Sequence, residues 1–357
     1  MNKLLFLCTI FLSLTLVGIL YGDFLSGVDP FHNIFYFDDG AVIVGSELLH
    51  IEGYPHAFNA SFIEHNNGYM MVFRQDTKKK PNVMPSTIRM VRARFTKDSL
   101  FSNEAQEYRM GHCGAHDARL FRFNGELYLL YTYLVYKNKA QPAHNDVLTF
   151  TEYMRQALAR LDENGDVAQV IELNYGTQKK EKNWTPFEYK DDTGKSYLYF
   201  VYRFNPREII CVQGSGHIEP VIREHKKSDS LINIWERQWG EIRGGTPAIK
   251  VGDEYLTFFH SSFKHKKQRW YVFGALTFKS NPPFTITRIS PCPILAHNFY
   301  SAESSDKRLF GPNMRVLFPC GLICESNYIY VLCGENDVGI RLITFDKMHL
   351  MDSLIPI

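Results

Sequence analysis

Residues suited to binding and protonating a sugar recur at matching places along this chain. Asn59, His116-Asp117, Lys182-Asn183-Trp184, Arg243-Gly244-Gly245-Thr246 and Phe318-Pro319 each stand just ahead of, or open, a short apolar run. Arg74, Tyr131, Arg203, His260 and Glu335-Asn336-Asp337 each close the aromatic run that follows. If these ends converge on one face, they form a ring of Asn, Asp, Lys, Arg and His. Amide and carboxylate oxygens would then meet sugar hydroxyls, cations would meet an anion, and an aspartate would be placed to move a proton. The competing reading of the same residues is a dispersed set of strand-end solubilising groups and salt-bridge partners.

The elements that must position them form a loose internal repeat. NNGYMMVFR (66–74), FNGELYLLYT (123–132), DTGKSYLYFVYR (192–203), VGDEYLTFFH (251–260) and SNYIYVLCG (326–334) each combine a turn of Gly, Asn, Asp or Ser with an aromatic, β-branched strand. FNASFIEH, HDARLFRF, WTPFEY, GTPAIKV and FPCGLICE precede them, so hairpins recur at intervals of roughly 57 to 75 residues. A lone hairpin leaves its edges unpaired and its faces open, and radial stacking of such units answers both problems. The pattern predicts an all-β, five-bladed β-propeller over residues 50–345, with a β-sandwich as the alternative. Residues 23–49 form a lead-in, and 346–357 a C-terminal tail or closure of the propeller. A short helix is plausible around residues 145–161, although parts of that run read equally well as strand.

Composition narrows the class. The chain has 357 residues, 14% aromatic, and its 40 Lys+Arg nearly cancel 38 Asp+Glu to leave +2. That is ample for a folded core and gives no long-range reason to expect a nucleic-acid partner. Residues 4–20 carry no charge, and residues 1–22 read as a signal anchor or a signal peptide. The expectation is a membrane-anchored protein with a lumenal or exported domain, held through residues 4–20 if they are uncleaved, or else a secreted one. Outside that segment, six cysteines permit up to three disulfides, with buried free thiols as the alternative. The Cys320/Cys324 pair lacks a second pair and a placed histidine, so no metal is expected.

The chain resembles glycoside hydrolase family 130, the β-mannoside phosphorylases and hydrolases, and the related glycosyltransferase family 108 of β-1,2-mannosyltransferases. PHAFNAS followed by MVFR is similar to an early family segment and places Asn59 and Arg74. His116-Asp117-Ala118-Arg119 is similar to the family's Glu-Asp-Pro-Arg, with histidine for glutamate and alanine for proline. KNWTPF places Lys182 and Asn183; RGGTPAIKVGDEYLTFFH places Arg243 and His260; YVFGA and GENDVG place Tyr271 and Asp337. The resemblance spans about residues 50 to 345. It implies a five-bladed propeller with a central carbohydrate site. It implies Asp117 as proton donor, passing the proton through a sugar hydroxyl to the glycosidic oxygen while phosphate attacks the anomeric carbon; a transferase would instead align the hydroxyl of a sugar acceptor. Asn59, Arg74, Arg119, Lys182, Asn183, Arg243, His260, Tyr271 and Asp337 would bind substrate. No cofactor is implied; inorganic phosphate or a sugar phosphate would be a substrate, and a mannose-containing glycan the partner.

Hydrolysis would normally require a second carboxylate to activate water, for which Glu188, Glu241 and Glu335 are the candidates. A non-catalytic carbohydrate-binding protein is the reading from another class. Trp184, Tyr271 and Phe318 would serve either as core aromatics or as faces beside a sugar ring. The only N-x-S/T signals are Asn59-Ala60-Ser61 and Asn183-Trp184-Thr185, both at inferred sugar-site positions. Peptide mass spectrometry of protein made in a glycosylating host should therefore find both asparagines unmodified. A glycan on either would remove that asparagine from the inner site.

Overall fold

The computed structural model describes residues 40–77, 87–96, 105–108, 110–112, 114–136, 151–176, 180–213, 216–228, 230–303 and 313–357. Strand β1 (Ile43–Leu49) precedes a first sheet of β2 (Ala57–His65), β3 (Gly68–Thr77), β4 (Thr87–Thr96) and β5 (Gln106–Glu107), paired in chain order. The second sheet holds β6 (His116–Phe123), β7 (Glu126–Tyr136), β8 (Thr151–Leu161) and β9 (Val167–Leu173), and the third β10 (Thr185–Lys190), β11 (Ser196–Phe204), β12 (Arg207–Val212) and β13 (Ile218–Arg223). Helix α1 (Leu231–Trp239) leads into β14 (Arg243–Gly244), β15 (Ile249–Val251), β16 (Glu254–His265), β17 (Gln268–Lys279) and β18 (Ile286–Ile289). The chain finishes with β19 (Met314–Glu325), β20 (Tyr328–Glu335), β21 (Gly339–Asp346), helix α2 (Lys347–Ser353) and β22 (Ile355–Pro356). These last strands, with β1 and β14 to β18, make one ten-stranded sheet.

The all-β five-bladed propeller expected from the sequence is not the architecture found. The described strands assort into four open sheets, and two short helices accompany them. All five sequence hairpins are present, but the fourth and fifth are not separate. Arg269, Trp270 and Tyr271 of β17 pair in parallel with Met314, Arg315 and Val316 of β19, and that junction fuses the two units. Residues 151–161, weighed as part of a helix, form β8, with Ala157 and Ala159 fully buried. The lead-in supplies β1, which pairs with β21, and the C-terminal residues pair with β18.

The membrane-anchored placement also needs correction: among the described residues no helix is long and apolar enough to cross a membrane. The leader, residues 1–22, lies outside the described residues, as do Cys8 and Cys113. Cys211, Cys292, Cys320, Cys324 and Cys333 are free thiols.

Burial explains why the first strand of each unit reads as a continuous apolar run. Residues 57–62 of β2, 116–121 of β6 and 316–323 of β19 are buried on both faces, because these strands lie beside one another inside the molecule. Helix α1 is capped by Ser230, whose hydroxyl accepts from Ile232 N, and it turns Trp235 and Trp239 inward. The Trp235 indole N–H then reaches Ser261 Oγ at 2.9 Å.

One buried cation ties these parts together. Arg119 has no exposed surface. Its guanidinium donates to the carbonyls of Asp117 at 3.0 Å, Gly244 at 3.4 Å and Gly245, and to Asn183 Oδ1 at 3.2 Å. It also lies 5.6 Å from the centre of the Phe318 ring. Gly245 is needed at this junction, since a Cβ there would press on the Phe258 carbonyl and on Pro319. Arg119→Ala should lower unfolding free energy by about 3 kcal/mol, because buried carbonyls lose their donor. Urea denaturation checks this, and an unchanged midpoint would contradict it.

Candidate active site

Left-handed backbone marks the positions that aim polar groups inward. Asn59, Asp117 and Asn183 have φ of 49°, 53° and 66°. The β2–β3 register shifts between Phe58 and Ser61, and the β6–β7 register between His116 and Arg119, so Asn59 and Asp117 sit on bulges. A bulge re-aims a side chain, and Asn and Asp tolerate this conformation better than most residues. Asn336 and Asp337, at φ 53° and 56°, repeat the device after β20.

The bulges bring Asn59 and Asp117 together. Asn59 Nδ2 donates to Asp117 Oδ1 at 2.7 Å, and Arg74 approaches the same oxygen at 3.4 Å. Gly334 lets the neighbouring strand come this close, as a Cβ there would collide with the Asn59 side chain. On the other oxygen, His116 Nε2 lies 3.8 Å from Asp117 Oδ2. Burial alone would push the Asp117 carboxyl up, but His116, Arg74, Lys182 and the Asn59 hydrogen bond hold it far below the ordinary carboxylate range. His116 is itself pushed down, first by burial and then by Arg74 and Lys182, so at neutral pH the cations and Asn59 do most of this work.

A second group of cations continues from there. Burial lowers the Lys182 pKa, Asp117 opposes that, and Arg243, Lys180 and Arg74 add to it. Lys180, Lys182, Arg203, Glu241 and Arg243 share one small cleft. Within it Arg243 donates to Glu241 Oε2 at 2.6 Å, while Arg203 donates to Glu208 outside it at 2.8 Å.

His260 pairs with Arg243 across β14 and β16. It is buried, and burial followed by Lys182, Arg119 and Arg243 takes it well below the ordinary imidazole value. Neutral imidazole is therefore its form at pH 7, and its Nδ1 has no hydrogen-bond partner among the described residues. The Tyr271 ring stacks with it at 6.4 Å and the Phe318 ring meets it edge-on at 4.5 Å, giving the site an apolar wall.

The structure thus brings Asn59, Arg74, Asp117, Lys182, Arg243, His260 and Tyr271 into one neighbourhood. Asp337 belongs to its edge: the Cys320 thiol feels Asp337 together with Asp117, Arg119 and Arg74. Arg119 and Asn183 differ from the rest, because Asn183 Oδ1 accepts from Arg119 and Arg119, committed to that oxygen and to backbone carbonyls, has no surface to offer a ligand. Trp184 is core, packed against Tyr175, Phe200 and Tyr202. Among the candidate bases, Glu335 is fully buried against Arg341 and Glu188 accepts from Ser196 at 2.6 Å. Sequence reasoning passed over the placement of His116 against Asp117; the histidine standing where the resemblance has glutamate was its signal.

A buried carboxylate beside several cations, with an aromatic wall next to it, is an arrangement suited to a carbohydrate-active enzyme. The chain belongs to glycoside hydrolase family 130: the family model described as beta-1,4-mannooligosaccharide phosphorylase matches residues 49–355. In fold it is similar to a beta-1,2-mannobiose phosphorylase from Listeria innocua, with TM-score 0.55 and 14% identity over 89% of this chain and 98% of that one. It is also similar to a mannose phosphorylase from Leishmania mexicana solved with a phosphate ion, with TM-score 0.56 and 13% identity over 90% and 93% of the two chains. Beta-mannosyltransferase 8 of Candida albicans is 32% identical over 89 residues, 23% of this chain and 12% of that protein. This chain therefore spans only a small part of that relative's length.

Because the Asp117 pKa is depressed in the folded state, its contribution to stability is present above the ordinary carboxylate value and lost as pH falls. The stability advantage of wild type over Asp117→Asn should therefore shrink below about pH 4. Denaturant titrations at several pH values check this, and a difference that stays constant down to pH 2.5 would contradict it.

Proposed function

We propose that the protein transfers a β-linked mannosyl unit to phosphate, with Asp117 as proton donor. The observation that carries this reading is Lys182, a largely buried ammonium held near the cations Arg243, Lys180 and Arg74, with Asp117 the main group that favours its charge. Such a group is relieved by a bound anion, and phosphate offers enough oxygens to meet Lys182, Arg74 and Arg243 together. Asp117 gives its proton to a sugar hydroxyl, which passes its own to the glycosidic oxygen. A phosphate oxygen bonds to the anomeric carbon as the glycosidic bond breaks, with inversion. The products are mannose 1-phosphate and the shortened mannoside. Phosphate brings its own negative charge, so no protein base is required.

Supporting phosphorolysis over hydrolysis, none of the three candidate bases is uncommitted. Glu335 is paired with Arg341, Glu188 with Ser196 and Glu241 with Arg243. His260, Tyr271, Asn59 and Asp337 are proposed to meet the sugar, while Arg119 and Asn183 position the strands that carry Asp117 and Arg243. The similarity to a fungal β-mannosyltransferase favours a second reading, in which a sugar hydroxyl replaces phosphate as acceptor.

Incubation with β-mannosides should release mannose 1-phosphate only when phosphate is added. With mannose 1-phosphate or GDP-mannose and an acceptor, chain extension without phosphorolysis would favour the second reading. Phosphate-independent free mannose would overturn both. Asp117→Asn should lower turnover by roughly 100-fold or more, and Lys182→Met should raise the KM for phosphate.

A further inference from the structure

Asp117 poses a difficulty for the chemistry proposed above: a proton donor must hold a proton, and this carboxylate is held ionised. Its two oxygens are not equivalent. Oδ1 receives Asn59 Nδ2 at 2.7 Å and Arg74 at 3.4 Å, so it is occupied by donors. Oδ2 faces His116 Nε2 at 3.8 Å. The tautomer of His116 follows from its other nitrogen. Nδ1 lies 2.6 Å from the Gly114 carbonyl oxygen, which can only accept, so Nδ1 carries the hydrogen. In the neutral ring Nε2 therefore presents a lone pair to a carboxylate oxygen. Both groups are buried, at 3% and 5% exposure, so water does little to separate the two facing acceptors. A proton placed between them answers both.

We propose that His116 is a positioning residue for Asp117: its Nε2, facing Asp117 Oδ2, takes up the proton destined for that oxygen when an anion occupies the neighbouring cationic cleft. The charged groups acting on His116 are Asp117 beside it on β6, Arg74 on β3 and Lys182 ahead of β10. Arg74 and Lys182 resist protonation of the pair, and an anion between them cancels that resistance. The proton comes from solvent to Nε2, giving an imidazolium that keeps its Nδ1–H on Gly114. Once a sugar is bound and the two groups close from 3.8 Å, it passes to Oδ2: the Nε2–H bond breaks, an O–H bond forms, and the ring is neutral again. Asp117 then carries its hydrogen on the oxygen that has no other donor among the described residues, ready for the sugar hydroxyl. Anion binding thus stores the proton on His116, and an empty site leaves it absent.

This inference rests on the anion site proposed above, and the test separates the two. Sulfate is the probe, because it has no proton to exchange near neutral pH. Calorimetric titration of the full chain with sulfate, in two buffers of different ionisation enthalpy, counts protons taken up on binding. Wild type should bind sulfate with net proton uptake. His116→Asn, which keeps a donor for Gly114 but has no titratable nitrogen, should bind sulfate with that uptake lost. The alkaline limb of its turnover should also move to lower pH by about one unit. In ¹⁵N-histidine-labelled wild type, the Nε2 resonance of His116 should move toward its protonated position on adding sulfate, a readout that needs no variant. Sulfate binding with equal uptake in both proteins and an unmoved resonance would overturn the role of His116 while leaving the anion site standing. Failure of wild type to bind sulfate would overturn the anion site and this proposal with it.

Discussion

The site depends on a guanidinium that never reaches solvent. Arg119 collects the carbonyls of Asp117, Gly244 and Gly245 and the side chain of Asn183, groups that belong to three segments far apart in sequence. Burying that charge is costly, and the fold meets the cost with four acceptors and the Phe318 ring. In return the bulge at Asp117, the turn before β10 and the glycines of β14 are fixed relative to one another. Arg243, Lys182 and Asp117 each lie within two residues of a group that Arg119 holds.

With that frame rigid, the electrostatics follow from a count of charges at short range. Asp117 is the carboxylate that Arg74 and Lys182 share, and Arg243 has Glu241 at its side. Among Arg74, Lys182, Arg243, Asp117 and Glu241 the surplus is positive and partly buried, a condition that favours a bound anion. His260 is kept neutral first by burial and then by the same cations, so it adds no charge to this balance.

Much of this was legible in the sequence, for reasons that differ by element. The hairpins β2–β3, β6–β7, β10–β11 and β19–β20 announce themselves through turn residues and aromatic strands. Their assembly does not: the three-residue parallel pairing of β17 with β19 joins segments that no single hairpin turn connects, and it makes four sheets where five units were counted. The site residues share a local signature, an Asn or Asp at the head of a buried strand, because only such residues sit easily at positive φ while pointing a polar group inward. What residue type could not distinguish was a guanidinium facing a ligand from one facing carbonyls. Arg74 and Arg119 read alike in sequence, and burial parts them. Trp184 is the aromatic counterpart, equally suited to a sugar and found in the core.

The claim at the centre of this account is that one anion sits among Lys182, Arg74 and Arg243, beside a sugar held against His260 and Tyr271 and within reach of Asp117. A crystal structure of the protein with phosphate and a β-mannoside tests it most directly. The account predicts phosphate oxygens within hydrogen-bond distance of Lys182 Nζ and both guanidinium groups, with a sugar hydroxyl between Asp117 Oδ2 and the glycosidic oxygen. Phosphate bound elsewhere, or a mannoside seated away from Asp117 while this cleft stays solvated, would contradict it.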